Sequence, residues 1–184
     1  MIAFLRGINI GSHYKVPMAL LKEEMIKLGF SKVHTFLNTG NIVFASEQAR
    51  SDTLNTLLET HLQKVFGFSI PVMLRTEEEI TALVQANPFR EVLMHPALRC
   101  YVSFLKYEVP TEAATSWQSP DQSFRVLSIR EKAIFSVLDL RLSQTPKGMD
   151  ALEKRFGKDI TTRNWNTLLK IDAWNKKNAR ETGQ

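Results

Sequence analysis

Arg6, Gly7, Asn9, Gly11 and Lys15 crowd into residues 6–15, RGINIGSHYK, directly after an apolar run. Glycines at 7 and 11 allow positive φ and let a ligand or a second backbone approach closely. A segment that leaves a strand and enters a helix presents unpaired amide N–H groups, which suit phosphate or carboxylate. Arg6 can add a bidentate contact and Lys15 a point charge. The stretch is neither GxGxxG nor a P-loop, because no GKS or GKT follows it. The alternative is a structural turn in which Arg6 pairs with a carboxylate.

Two further stretches carry the same kind of chemistry. NTGN places Asn38 and Asn41 on either side of a turn, where each amide offers a donor and an acceptor. Turn chemistry alone also accounts for asparagines there. TTRNWNT, residues 161–167, reads as a threonine-capped helix start with Arg163 and Asn164 in the first turn. A cation at the positive end of a helix dipole is unfavourable unless an anion lies nearby. Trp165, Leu168 and Leu169 form the stripe expected to face the core.

Other candidates fall away. Cys100 lies in an apolar stretch, RCYVSFL, with no adjacent cation or histidine to activate it, and reads as a buried structural thiol. His13, His34, His61 and His95 are scattered, so no metal site is expected. Glu77, Glu78 and Glu79 are explained by a helix start. No nucleophile-elbow spacing supports a catalytic triad.

The elements that must position these residues follow from periodicity. A strand is expected over 1–8, then a helix from Pro17 to Leu28, with Gly29 as its stop. Strands at 33–37 and 41–45 flank the Thr39-Gly40 hairpin signal. Leu54, Leu57, Leu58, Leu62 and Val65 mark a helix over 52–66, and a strand follows at 70–75. This β-α-β-β-α-β order is the split βαβ, or ferredoxin-like, arrangement.

A capped helix at 76–86 then connects to a second half. That half is expected to hold strands at 99–105, 124–129 and 133–138, with a short helix from Pro110 to about Trp117. Helical stretches near 149–156 and 162–176 close it. The expectation is an α+β chain of two ferredoxin-like subdomains, 1–88 and 89–184, the second with extra C-terminal helices.

Composition bounds the function. The chain of 184 residues is 43% hydrophobic and 23% charged, as in a soluble globular protein with a real core. No apolar run approaches a bilayer span and no signal peptide is evident, so a cytoplasmic location without membrane association is expected. Residues 1–140 hold 14 Lys/Arg against 14 Asp/Glu, whereas 141–184 hold 10 against 5. A basic carboxy-terminal quarter admits an anionic partner, but a solvated helix face explains it as well.

FLRGINIG, then KVPM, LGF, NTGNIVF and TTRNWNT, in that order, resemble a bacterial domain-of-unknown-function family numbered 1697, whose members open with an LRGIN-like signature. The resemblance runs from Ile2 to about Ile171. It implies two ferredoxin-like subdomains and brings no established activity, cofactor or catalytic residue. Typical members have a second glycine where this chain has Ser12, a substitution that would strain a backbone requiring positive φ.

Taken together, these features lead to the expectation of a binding module for an anionic ligand: a nucleotide, a phosphorylated metabolite or, less favoured, nucleic acid. Arg6, Gly7, Asn9, Gly11, Lys15, Asn38, Asn41, Arg163 and Asn164 would line a cleft between the subdomains, with no cofactor. The rival is a small hydrolase of phosphates or acyl-phosphates, from a loose topological analogy of Arg6 and Asn38 to acylphosphatases. A scaffold or interaction protein is the third reading.

Overall fold

The computed structural model describes residues 1–109, 117–142 and 146–182. The chain is an α+β protein that divides into two compact units, Met1–Ile80 and Thr81–Gln184. This division passes through the connecting helix rather than after it. Each unit contains one four-stranded antiparallel sheet, and the described residues form five helices. None of the helices among the described residues is long and apolar enough to cross a membrane.

The first unit runs β1 (Ile2–Leu5), α1 (Met18–Lys27), β2 (Ser31–Phe36), β3 (Asn41–Ala45), α2 (Asp52–Phe66) and β4 (Val72–Arg75). Its strand order is β2-β3-β1-β4. Helix α2 forms where Leu54, Leu58 and Leu62 recur every four residues and bury one stripe. Ser51 caps it by accepting from the Leu54 amide at 3.1 Å. Gly67 ends it in the left-handed conformation at φ 80°, where a glycine carries no Cβ penalty. The leucines pack with Leu21 and Met25 of α1 against Ala3, Leu5, Ile42, Phe44, Val72 and Leu74 of the sheet.

A polar clasp joins the two helices. The buried Glu24 carboxylate accepts from Lys27 Nζ at 2.6 Å and meets His61 Nε2 at 2.8 Å. The Lys27 hydrogen bond, more than any other contact, holds the Glu24 carboxyl below its usual range.

Helix α3 (Glu77–Ala86) spans the division. The second unit continues with β5 (Leu98–Leu105), β6 (Phe124–Arg130), β7 (Ala133–Asp139), α4 (Pro146–Phe156), β8 (Ile160–Asn164) and α5 (Trp165–Thr182). Its order is β6-β7-β5-β8. The helix expected from Pro110 falls, as far as residue 116, outside the described residues. At the β6–β7 hairpin, Glu131 and Lys132 both take positive φ, the dihedrals of a two-residue turn matched to strand twist.

One expectation requires correction. Residues 160–164 form a strand, not the first turn of a helix, and α5 begins at Trp165. Ile160, Thr161 and Thr162 are β-branched and favour a strand, and pairing with β5 completes the sheet. Along α5 the buried stripe is Leu168, Ile171, Asp172 and Asn175, while Leu169 is 38% exposed rather than core.

The two sheets share a register that the sequence conceals. Leu5 pairs with Val72 and Ile2 with Arg75; Leu105 pairs with Ile160 and Val102 with Arg163. On the other flank, Ile2 faces Val43 and Val102 faces Phe135. Even the bonds beyond the strand ends correspond: Arg6 N donates to Pro71 O and Lys106 N to Asp159 O, each at 2.9 Å. Arg75 and Arg163 therefore occupy equivalent rungs, and both are buried.

Candidate functional site

In the first unit, the loop after β1 is held by its own polar residues. Asn9 Nδ2 donates to Val16 O at 3.0 Å and to Asn38 O at 2.9 Å, and Oδ1 accepts from Val16 N at 2.9 Å. The RGINIG loop and the NTGN turn are thus brought together, but through Asn9's side chain and Asn38's carbonyl. The fully buried Asn41 amide donates to Phe36 O and Thr39 Oγ1, both at 2.9 Å. Lys15 Nζ donates to Gly11 O at 2.8 Å on the surface. Gly7 and Gly11 have positive φ, as their spacing suggests, whereas Ser12 does not, so the serine is unstrained.

Gly40 closes this assembly. A Cβ there would lie 2.7 Å from Leu5 Cβ and 2.8 Å from Ile8 Cδ1, at φ +72°. No side chain fits between the turn and the end of β1, where Gly40 O accepts from Leu5 N at 2.8 Å.

In the second unit, Arg163 and Asn164 do different work from that expected of a helix start. Arg163 lies on β8, and its Nη1 donates to Thr161 Oγ1 and to Thr162 O, both at 2.8 Å. Burial pushes its guanidinium down to about 10, which leaves it cationic at neutral pH. Asn164 is the cap of α5, its Oδ1 accepting from Asn166 N at 2.9 Å.

Beside Asn164 opens a groove of about 330 Å³. Its polar lining residues are Arg90, Arg99 and the amides of Asn87, Asn164 and Asn166. Phe89, Val92, Met94, Cys100 and Trp165 supply the rest of the lining. Phe89 anchors it, meeting Trp165 edge-on at 5.2 Å and Phe135 at 6.1 Å between ring centroids. Arg99 is positioned by its own backbone surroundings, Nη1 donating to Pro96 O at 2.7 Å and Leu98 O at 3.0 Å. Arg90 pairs with the neighbouring Glu91 at 3.3 Å, with both side chains largely exposed, so solvent weakens that pair.

Among the described residues, no carboxylate lines this groove. Cys100 is buried at its edge with Sγ 3.7 Å from Met94 Sδ, and burial pushes the thiol pKa up, away from nucleophile chemistry.

A second cavity of the same unit, about 220 Å³, has the opposite character at one wall. It is lined by Asp139 with His95, Arg125 and two glutamines. Arg141 donates to Asp139 through Nε and Nη2, at distances down to 2.6 Å, and this bond is the main reason the carboxyl sits at about 2. That carboxylate is already paired with Arg141 and lies 3.4 Å from His95 Nε2.

Of the residues singled out from sequence, Asn164 lines the groove. Arg90, Arg99 and Asn87 went unrecognised, because only tertiary packing brings them to Asn164, for Arg99 through the β5–β8 pairing. Tyr101 opposite Asn164 sets Arg99 and Cys100 beside the start of α5. Once 160–164 is read as helix, that neighbourhood is invisible. The signal that could have found it is the Ile-Thr-Thr run, a strand signature directly before Arg163.

A family model described as protein of unknown function (DUF1697) matches residues 1–135. The matched region includes Arg90 and Arg99 and ends before Asn164. Among solved structures, the chain is similar to the conserved bacterial protein SP0830 from Streptococcus pneumoniae, with 24% identity and a TM-score of 0.66. The likeness covers 94% of this chain and 96% of that one, and it concerns the fold. No curated protein matches the chain.

Proposed function

Because the chain belongs to the family of proteins of unknown function DUF1697, whose description names no activity, we propose its function from geometry: it binds a small anionic ligand in the groove of the second unit. The observation that carries this reading is the groove's lining, two arginines and three asparagine amides with no carboxylate among the described residues. Arginine forks suit phosphate and carboxylate oxygens. The volume lies at the lower end of the roughly 300–1,000 Å³ usual for small-molecule sites. On this reading Asn9, Asn38, Asn41 and the loop glycines are scaffold, as is Arg163, which secures β8. Arg6 and Lys15 take no part in the groove.

The strand orders and antiparallel pairings support reading each unit as ferredoxin-like. A lone buried cysteine fits residence in the reducing cytoplasm.

Thermal denaturation against a panel of nucleotides and phosphorylated metabolites tests the function. A ligand at a hundred times its Kd is expected to stabilise the native state by about 2.7 kcal/mol. Arg90→Ala combined with Arg99→Ala should weaken that ligand at least tenfold while leaving the unliganded melting curve within a few degrees. A panel without any stabilising member, or unchanged affinity in the double variant, overturns the reading.

A further inference from the structure

The groove is more than a cradle for charge. An inorganic anion would use Arg90 and Arg99 and leave the exposed Met94 and the half-buried Trp165 of the same lining uncovered. Covering them requires an apolar, flat ligand portion. We infer that the ligand is a mononucleotide, its phosphate held by Arg90 and Arg99 and its base laid against Met94 and Trp165. The inference rests on the anion-groove reading and narrows it.

Three observations carry the step from anion to nucleotide. First, the lining combines donors, Arg90, Arg99 and three asparagine amides, with soft, polarisable side chains, Met94 and Trp165 among them; Met94 Sδ is backed by Cys100 Sγ at 3.7 Å. Thioether sulfur and aromatic rings attract each other, so a purine or pyrimidine gains there beyond its area. Second, Asn164 uses Oδ1 to cap α5, which directs its acceptor to the chain's own amide and leaves the Nδ2 donors for a ligand acceptor. Purine and pyrimidine edges supply such acceptors; a sugar phosphate offers hydroxyls that water satisfies equally well. Third, about 330 Å³ encloses one nucleotide rather than a run of them. A strand of nucleic acid calls for an extended basic channel with successive stacking platforms.

Isothermal titration of the full chain separates the parts. The probes are the four ribonucleoside 5′-monophosphates, the corresponding nucleosides, ribose 5-phosphate, inorganic phosphate and a single-stranded oligonucleotide. At least one monophosphate should bind ten times or more tighter than its nucleoside and than ribose 5-phosphate. Met94→Ala, at a position 57% exposed and so tolerant of truncation, should weaken the monophosphate three- to tenfold and leave ribose 5-phosphate unchanged.

Equal affinity for ribose 5-phosphate and every monophosphate overturns the nucleotide while the anion groove stands. Tighter binding of the oligonucleotide than of any monophosphate overturns it in favour of a polymer. Binding of no probe overturns both the nucleotide and the groove.

Discussion

Arg75 and Arg163 stand on equivalent rungs of the two sheets, yet the helices that follow them are built in opposite ways. Each guanidinium donates through Nη1 to the carbonyl of the preceding residue, at 2.7 and 2.8 Å, and burial pushes each down to about 10. After Arg75 comes a closed arrangement. Glu79 N donates to Thr76 Oγ1 at 3.1 Å, Thr76 N donates to Glu79 Oε2 at 2.7 Å, and Arg50 Nη1 reaches both Glu79 oxygens. After Arg163 there is one cap bond, from Asn166 N to Asn164, and no acid in the first turn of α5.

In the first unit the Thr76–Glu79 helix start and the Asn9 and Asn41 amides make their hydrogen bonds within the unit. The second unit turns arginines and amides toward a groove. The same scaffold is specialised for rigidity in one copy and for an open polar surface in the other. The lesson is that a concentration of glycine and asparagine marks backbone constraint as readily as it marks a ligand.

The comparison can be broken or sharpened by substitution. The largest effect is expected at Gly40, where alanine must both adopt positive φ and displace Leu5 and Ile8. Urea denaturation should show a loss of about 2–4 kcal/mol for Gly40→Ala, and an undiminished midpoint would remove the claim that the turn is sterically locked. Next comes Asn9→Ala, which deletes three hydrogen bonds and should cost about 2 kcal/mol. If the same variant instead leaves stability intact but abolishes ligand binding, the assignment of rigidity to the first unit is wrong.

The smallest effect on stability, and the sharpest on function, is expected for Asn164→Asp. Aspartate caps a helix about as well as asparagine, so stability should stay within about 0.5 kcal/mol. Its charge would face Arg90 and Arg99 and should weaken an anionic ligand at least tenfold in titration.

Much of the fold is legible in the sequence, because leucine spacing in α2, the strand pattern over 124–138 and the Gly29 stop after α1 all act locally. The register shared by the two sheets is not, since identities such as Phe4 with Phe104 and Arg75 with Arg163 are offset by unequal insertions. The site was legible only at Asn164. Tertiary pairing decides whether 160–164 is strand or helix, and a threonine before an arginine fits both. The polar residues of RGINIG and NTGN stand out in the sequence, but only the folded chain shows the Asn9 and Asn41 side chains occupied by Val16, Asn38, Phe36 and Thr39.

In both sheets the earliest strand of the unit lies inside, flanked by partners that come later in the chain. Strand β1 waits for β3 on one edge and for β4, which ends at Arg75, on the other. During synthesis an emerging β1 is therefore an apolar ribbon with both hydrogen-bonding edges open until most of its unit has left the ribosome. Such edges invite pairing with other chains. The arginine arriving at the end of β4, and again near the end of β8, is the last strand's contribution to closing that interval of exposure.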